Sequence, residues 1–303
     1  MNNSNFKSGF VAIIGRPNAG KSTFINQVLG QKVSIISNKP QTTRNVIQGI
    51  YTKDDVQIIF IDTPGIHKPR HELGQVMNKE SFATLRDCDL IMYLVDGSVD
   101  FGSGDEYVIN ELSKVKTPKI IVFNKIDLIN DKNRLMANVV KFEDKLKFDD
   151  AYYISSLKGD NVDILLDGIK SYLPAGPMYY PKETVSSHPE EFIISEIIRE
   201  KILLKTNEEV PHSVAVVVED IKPMDENENA LNIRANIYVE RQSQKKIIIG
   251  KSGAMIKEIG TLSRKEIVML LGQKVYLELW VKVEEDWRNK KSTLRRMGYF
   301  LEN

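Results

Sequence analysis

Eight residues near the start of the chain, Gly15-Arg16-Pro17-Asn18-Ala19-Gly20-Lys21-Ser22, follow the spacing G-x-x-x-x-G-K-[ST]. Glycines at both ends let the backbone turn so that successive N–H groups point at phosphate oxygens. Lys21 is placed to neutralise the β- and γ-phosphates and the Ser22 hydroxyl to hold Mg²⁺, with Thr23 beside it counted among the residues that bind the nucleotide. An apolar run at 10–14 enters the loop, and helical spacing at 22–29 leaves it, with Gly30 as the stop. A helix starting there adds the positive end of its dipole. This strand–loop–helix context separates the motif from a chance glycine-rich turn.

A phosphate loop does not choose a base. Asn124-Lys125-Ile126-Asp127 follows a second apolar run, 119–123, and its chemistry selects guanine. The Asp127 carboxylate can accept from both N1–H and the 2-amino group. Adenine presents no such pair of donors and would leave the carboxylate desolvated and unpaired. Asn124 is expected to bond the base and brace the loop, and the Lys125 stem to pack on the ring. Asp62-Thr63-Pro64-Gly65 ends the run at 56–61; Asp62 is expected to hold Mg²⁺ through water, and the Gly65 N–H to sense the γ-phosphate. In Gln41-Thr42-Thr43-Arg44, a threonine can close over Mg²⁺ only when the γ-phosphate is present, which makes 34–45 a switch. Thr43 is the favoured ligand and Thr42 the alternative. Ser155-Ser156-Leu157-Lys158 would offer backbone N–H groups to guanine O6.

In this order the five pieces, spanning 9–173, resemble the translation-factor-related class of small GTPases. Ser156 stands where that class usually has alanine, and Ile66 where Ras-like enzymes have the glutamine that orients the attacking water. His67 and His71 nearby read as surface histidines of a mobile loop. Asn18 resembles the asparagine of relatives that bind K⁺ beside the phosphates. The expected catalytic set is therefore Lys21, Asn18 and Thr43, with slow intrinsic hydrolysis of GTP stimulated by K⁺.

These motifs need a scaffold. Runs at 46–51 and 56–61 flank the polar turn 52–55, predicting a hairpin; further runs at 90–95, 119–123 and 152–154 alternate with helical spacing at 73–85, 106–114 and 135–147. Strands alternating with helices predict an α/β domain, a mostly parallel sheet covered on both faces, with ligands at the carboxyl ends of the strands. A last helix at 162–173 precedes Pro174-Ala175-Gly176-Pro177 and Pro181. The resulting boundaries are a nucleotide domain at 1–175, a linker at 176–190 and a second domain at 191–303.

That second part reads helix (191–204), strand (213–219), polar loop (222–229), strand (231–240), two helices and a strand (274–283). Between the helices lies Gly250-Lys251-Ser252-Gly253, which looks like the G-x-x-G loop of a KH domain; the element order is the type II arrangement. Two glycines let an RNA backbone approach the turn. Lys246, Lys251, Ser252 and Lys257 would meet phosphates, and Ile248, Ile249 and Ile256 would line an apolar groove. Residues 182–240 carry 6 basic and 13 acidic side chains, whereas 241–274 carry 8 and 2, which places a polyanion site at the turn. No aromatic residues interleave the turn. The segment 287–297 carries Arg288, Lys290, Lys291, Arg295 and Arg296 on a final helix.

Together with Ser195–Lys201, Val239–Lys246 and Leu277–Val283, these motifs resemble, over essentially the whole chain, a bacterial family of GTPases that act in small-ribosomal-subunit assembly. The resemblance implies binding to small-subunit rRNA near its 3′ end, and some peripheral association with the inner face of the cell membrane.

Bulk properties agree. The 303 residues suit two domains, and 42% hydrophobic with 27% charged residues suits a globular protein. The single thiol, Cys88, is read as a small buried residue, which excludes internal disulfides and cysteine-rich zinc clusters. The N-terminus has no apolar signal region, and no stretch reaches the length of a membrane span, so a cytoplasmic monomer is expected. Two other classes compete: a GTPase driving a different reaction such as tRNA modification, weakened by the absence of a catalytic cysteine, and a membrane-associated regulatory GTPase signalling growth or cell-cycle state.

Overall fold

The computed structural model describes residues 6–299 apart from 38, 40, 41, 67, 70, 225 and 226, with backbone only at 227–229. Two compact units emerge. One comprises Met1–Ser34, Thr43–Arg70 and Gly74–Ser187; the other comprises Ile35–Thr42, His71–Leu73 and His188–Asn303.

The first unit runs β1 (Lys7–Ile14), α1 (Lys21–Leu29), β2 (Ile47–Lys53), β3 (Val56–Asp62), α2 (Glu72–Thr84), β4 (Leu90–Asp96), α3 (Ser103–Leu112), β5 (Lys119–Asn124), α4 (Lys132–Glu143), β6 (Asp150–Tyr153) and α5 (Val162–Tyr172). The sheet order is β2-β3-β1-β4-β5-β6, with only the β2–β3 hairpin antiparallel. Because β3 and β4 are near-continuous apolar runs, both faces of the sheet must be covered. One face buries Val11, Ile13, Phe24, Phe60 and Leu165 among others, and the opposite face buries Ala12, Ile14, Tyr93, Phe123 and Phe142. Residues 12, 14 and 11, 13 part to opposite faces, as strand alternation requires. Phosphate loop, Asp62 and Asn124 all lie at carboxyl ends of strands.

Two local readings change. Cys88 is half-buried rather than buried; its Sγ lies 3.7 Å from the Leu85 carbonyl, and partial burial pushes the thiol up to about 11. The stretch expected as a linker packs on the first unit as far as Ser187. Ser8 N–H donates to Pro174 O (3.2 Å), Gly176 N–H to Phe6 O (3.1 Å), Tyr179 and Tyr180 N–H to Gln57 Oε1 (2.7 and 3.0 Å), and Ile50 N–H to Val185 O (2.9 Å). The prolines stop helix formation there, but several backbone groups of the stretch still find partners on the first unit.

The second unit runs α6 (Glu190–Lys205), α7 (Val210–Ser213), β7 (Ala215–Met224), β8 (Asn227–Val239), α8 (Gln242–Ile249), α9 (Ala254–Leu271), β9 (Lys274–Val283) and α10 (Lys291–Arg296). Its sheet order is β7-β8-β9, with β7–β8 antiparallel and β8–β9 parallel. The strands extend well into the expected polar loop 222–229, helped by a register shift beside Met224. The final segment is a 3₁₀ turn, Trp287–Asn289, and then α10. Two of its cations are neutralised locally: Arg288 binds Glu240 at 2.6 Å and Arg296 binds Glu284 at 2.8 Å.

Candidate functional site

In the first unit the phosphate loop passes from β1 to α1 with Asn18 and Gly20 in left-handed conformations (φ 65° and 102°). At Gly20 a Cβ would also collide with the Asn124 amide, so glycine is required on two counts. The Asn124 Nδ2 donates to Ala19 O at 2.9 Å, which ties the guanine loop to the phosphate loop. Lys21 is buried against the loop carbonyls of Gly15 (3.1 Å) and Arg16 (3.0 Å). Burial lowers its pKa to about 8, opposed by the nearby Asp62 carboxylate. An incoming phosphate would replace the two carbonyls with full charge.

Oxygen atoms converge beside it. Ser22 Oγ lies 2.9 Å from Thr43 Oγ1 and donates to Asp62 Oδ2 at 3.0 Å; Ser34 Oγ donates to the same oxygen at 2.9 Å. The other Asp62 oxygen, Oδ1, is buried without a hydrogen-bond partner among the described residues. Burial raises the Asp62 pKa, partly offset by Lys21 and the two serine hydroxyls. Hard oxygen donors with one carboxylate oxygen unsatisfied are a set that Mg²⁺ fits. Thr42 faces elsewhere, donating to Lys39 O at 2.6 Å. Ile66 N–H donates to Gly15 O at 3.1 Å and so draws Gly65 against the phosphate loop, while the Ile66 side chain is buried in the core. His71 is half-buried, and both His67 and Gln41 lie outside the described residues.

The base-reading loops follow β5 and β6. Lys125 has φ 64° and binds Asp96 at 2.6 Å. Ser155 Oγ donates to Asp127 Oδ1 at 2.6 Å and accepts from Lys158 N–H at 3.2 Å. Asn124 Oδ1 accepts from Ser156 N–H at 2.9 Å, so that N–H must be shared or released to reach a guanine O6, whereas Leu157 is 75% exposed. Three supporting residues have no motif to announce them. Ser34 steadies Asp62, Asp96 steadies Lys125, and Asp105 receives both Arg16 (2.9 Å) and the Tyr93 hydroxyl (2.9 Å).

In the second unit α8 ends at Gly250 (φ 73°), the turn passes through Ser252 (φ 51°) and Gly253 (φ 79°), and α9 begins. A Cβ on Gly250 would lie 2.6 Å from Met255 Cβ and 2.9 Å from its nitrogen, whereas one on Gly253 meets nothing within 4 Å. The first glycine permits the fold of the turn, and the second leaves its outer side open. Lys246, Lys251, Ser252 and Lys257 are all exposed, and Ile249 and Ile256 are half-buried. Ile248 is a correction: helical spacing turns it inward, and it is fully buried in the unit's core. Ile256, Lys257, Gly260, Thr261 and Arg264 of α9 face Tyr276, Leu277 and Leu279 of β9 across a groove of roughly 380 Å³. Tyr276, 55% exposed, supplies the aromatic ring that the sequence around the turn does not.

Residues 10–125 match the family described as 50S ribosome-binding GTPase, and residues 209–288 match the KH domain. The whole chain is similar to the crystal structure of a point variant of Aquifex aeolicus Era bound to GDP·AlF₄⁻: TM-score 0.94 and 42% identity over 98% of this chain and 100% of that one. The chain belongs to the Era family. A second Era structure, in complex with MgGDPNP and nucleotides 1506–1542 of 16S ribosomal RNA, is matched with the same TM-score, identity and coverage. Era-family membership joins a GTPase domain to a KH domain in one chain, in agreement with the α/β unit followed by the type II order described above. Among the described residues no helix is long and apolar enough to cross a membrane.

Proposed function

We propose that this chain is a Mg²⁺-dependent, GTP-hydrolysing switch that binds small-subunit rRNA near its 3′ end and assists assembly of the small ribosomal subunit. One observation carries the reading: an end-to-end match, at 42% identity, to an Era structure holding MgGDPNP and a 16S rRNA fragment. The open Gly253 side, the lysines around it and the groove under Tyr276 favour RNA over the signalling alternative. In this reading the GTPase domain runs on through the stretch expected as a linker to Ser187, and residues 188–303 bind RNA.

Residues 15–23 and 62–65 hold the phosphates, while Asn124, Lys125, Asp127 and Ser155–Leu157 hold guanine. Ser22, Thr43 and Asp62 are the residues that would hold Mg²⁺, which neutralises charge on the β- and γ-oxygens when bound. Lys21 adds a second fixed charge, and Thr43 closes the switch over the γ-phosphate. With Ile66 buried, no side chain there can orient water, so Asn18 recruits K⁺ as the additional positive charge. Equal turnover in Na⁺ and K⁺ buffers would refute the role of K⁺. A monomeric state and weak peripheral membrane association belong to the same proposal; sedimentation equilibrium and co-sedimentation with anionic vesicles check them.

Titration of a labelled oligonucleotide with the small-subunit 3′-terminal sequence tests the main claim. Tight binding in GTP that is lost on scrambling the sequence is expected. Equal affinity for the scrambled strand would overturn it.

A further inference from the structure

Lys125 is held at both ends, and only one end belongs to its own motif. Its backbone, at φ 64°, is fixed by the turn that follows, where Leu128 N–H donates to Lys125 O at 2.9 Å and Ile126 N–H to Ile154 O at 3.2 Å. Its ammonium is fixed from another strand: Nζ donates to Asp96 Oδ2 at 2.6 Å. Asp96 is the last residue of β4, and its register partner on β5 is Asn124, the residue before Lys125. Gly97 N–H donates to Asn124 O at 2.8 Å, which fastens the end of β4 to the start of the guanine loop.

The Asp96 carboxylate is itself fixed. Its second oxygen, Oδ1, accepts from Ser98 N–H at 3.0 Å and from the Ser98 hydroxyl at 2.6 Å. The two side chains of the ion pair, Lys125 and Asp96, are 30% and 22% exposed, so water and salt screen it only in part. A free lysine stem is flexible, and ordering it against a ring costs conformational entropy. An ammonium tied to a fixed carboxylate removes part of that cost before the base arrives, which is how preorganisation raises affinity.

We propose that Asp96 is a positioning residue for base recognition: it anchors the Lys125 ammonium so that the lysine stem is already laid out for the face of the guanine ring, with Ser98 fixing the carboxylate. The proposal rests on the reading of Lys125 as the residue whose stem packs on the ring. It divides the base site into two devices. Asp127 reads the edge of the base, and the Asp96–Lys125 pair supports its face.

The test titrates the full chain with ribose-labelled fluorescent GDP and with inosine diphosphate, which lacks the 2-amino group, as competitor. Asp96→Asn keeps an acceptor for Ser98 and removes the charge that holds Lys125. It is expected to weaken both nucleotides by the same factor, roughly fivefold, the scale of a half-exposed ion pair. Lys125→Met keeps the stem without the ammonium and should match that loss, and adding Asp96→Asn to it should change nothing further. Ser98→Ala should act in the same direction, more weakly, and provides the answer if Asp96→Asn does not fold. An undiminished loss from Asp96→Asn in the Lys125→Met background, as a purely structural role at the end of β4 would give, overturns the proposal. So does a different factor for the two nucleotides, or no loss in either single variant. Lys125→Ala, which removes the stem as well, should lose more than Lys125→Met; unchanged GDP affinity there would remove the ring-packing reading itself, a result distinct from failure of the Asp96 arms.

Discussion

The two binding regions are built on opposite principles. Around the nucleotide site, buried and half-buried side chains are held by fixed partners: Asn124 by the Ala19 carbonyl and the Ser156 N–H, Asp127 by the Ser155 hydroxyl, and Asp62 by the hydroxyls of Ser22 and Ser34. At the turn between α8 and α9 the backbone itself is presented, with Gly253 open on one side and lysines around it. A small ligand with fixed donors and acceptors rewards the first arrangement, since each mismatched polar group is left unpaired in a dry site. A flexible polyanion rewards the second, where close approach and charge matter more than any one side chain.

The largest effect that would break this contrast is at Asp127. Asp127→Asn exchanges an acceptor pair for one donor and one acceptor, so GTP affinity should fall on the order of 10⁴-fold. Xanthosine triphosphate, which carries an acceptor at C2, should bind in its place; competition titration with both nucleotides decides. Equal losses for GTP and XTP would mean that Asp127 supports the loop rather than reading the base. Next come the glycines. Gly250→Ala meets Met255 at a positive φ and should cost about 2 kcal/mol of second-unit stability in denaturant titration. Gly253→Ala, with open space around it, should cost only about 1 kcal/mol, from backbone strain. If both cost the same, the turn does not divide fold and access between its glycines. Gly253→Asp should weaken RNA binding at least about tenfold by repelling phosphate, with GTP affinity unchanged.

The smallest effect tests the electrostatics of the dry site. Lys21 titrates at about 8 in the folded chain, against 10.5 unperturbed. Below pH 8 both folded and unfolded states hold the proton. Between about pH 8 and 10.5 the unfolded chain holds a proton that the native chain has lost, so nucleotide-free stability rises with pH there. GTP binding restores the proton, so affinity should fall by up to about tenfold per unit above pH 8. Calorimetry in buffers of different ionisation enthalpy reads the proton uptake directly. An affinity independent of pH through that window would show that phosphate does not displace the Lys21 environment.

Motif-bearing residues are legible in the sequence because their partners are close along it or are ligand atoms. Gly15–Ser22, Asn124 and Asp127 declare themselves by type and spacing. The groups that hold them are not legible, because they are distant: Ser34 lies 28 residues from Asp62, and Arg16 lies 89 from Asp105. Nothing in local periodicity links such positions; only the packed fold does. The same limit explains Ile248, which reads as groove lining until the helix phase is fixed by its core. Tyr276 carries no local signal either, since it reaches the groove from β9, beyond the whole length of α9. The strand pattern, by contrast, is plain, because continuous apolar runs such as 56–61 and 90–95 leave no other way to bury themselves.

The segment between α5 and α6 has a consequence of a different kind. β2 is the outermost strand of the six-stranded sheet, and the pairing of Ile50 with Val185 and of Gly49 with Ser186 gives it a neighbour. An outermost strand with unpaired N–H and C=O groups is a template for another molecule. A GTPase fragment ending at residue 175 should therefore self-associate through β2, while one ending at 187 stays dispersed. The stretch that reads as a spacer lies along the outer edge of the sheet and occupies part of it.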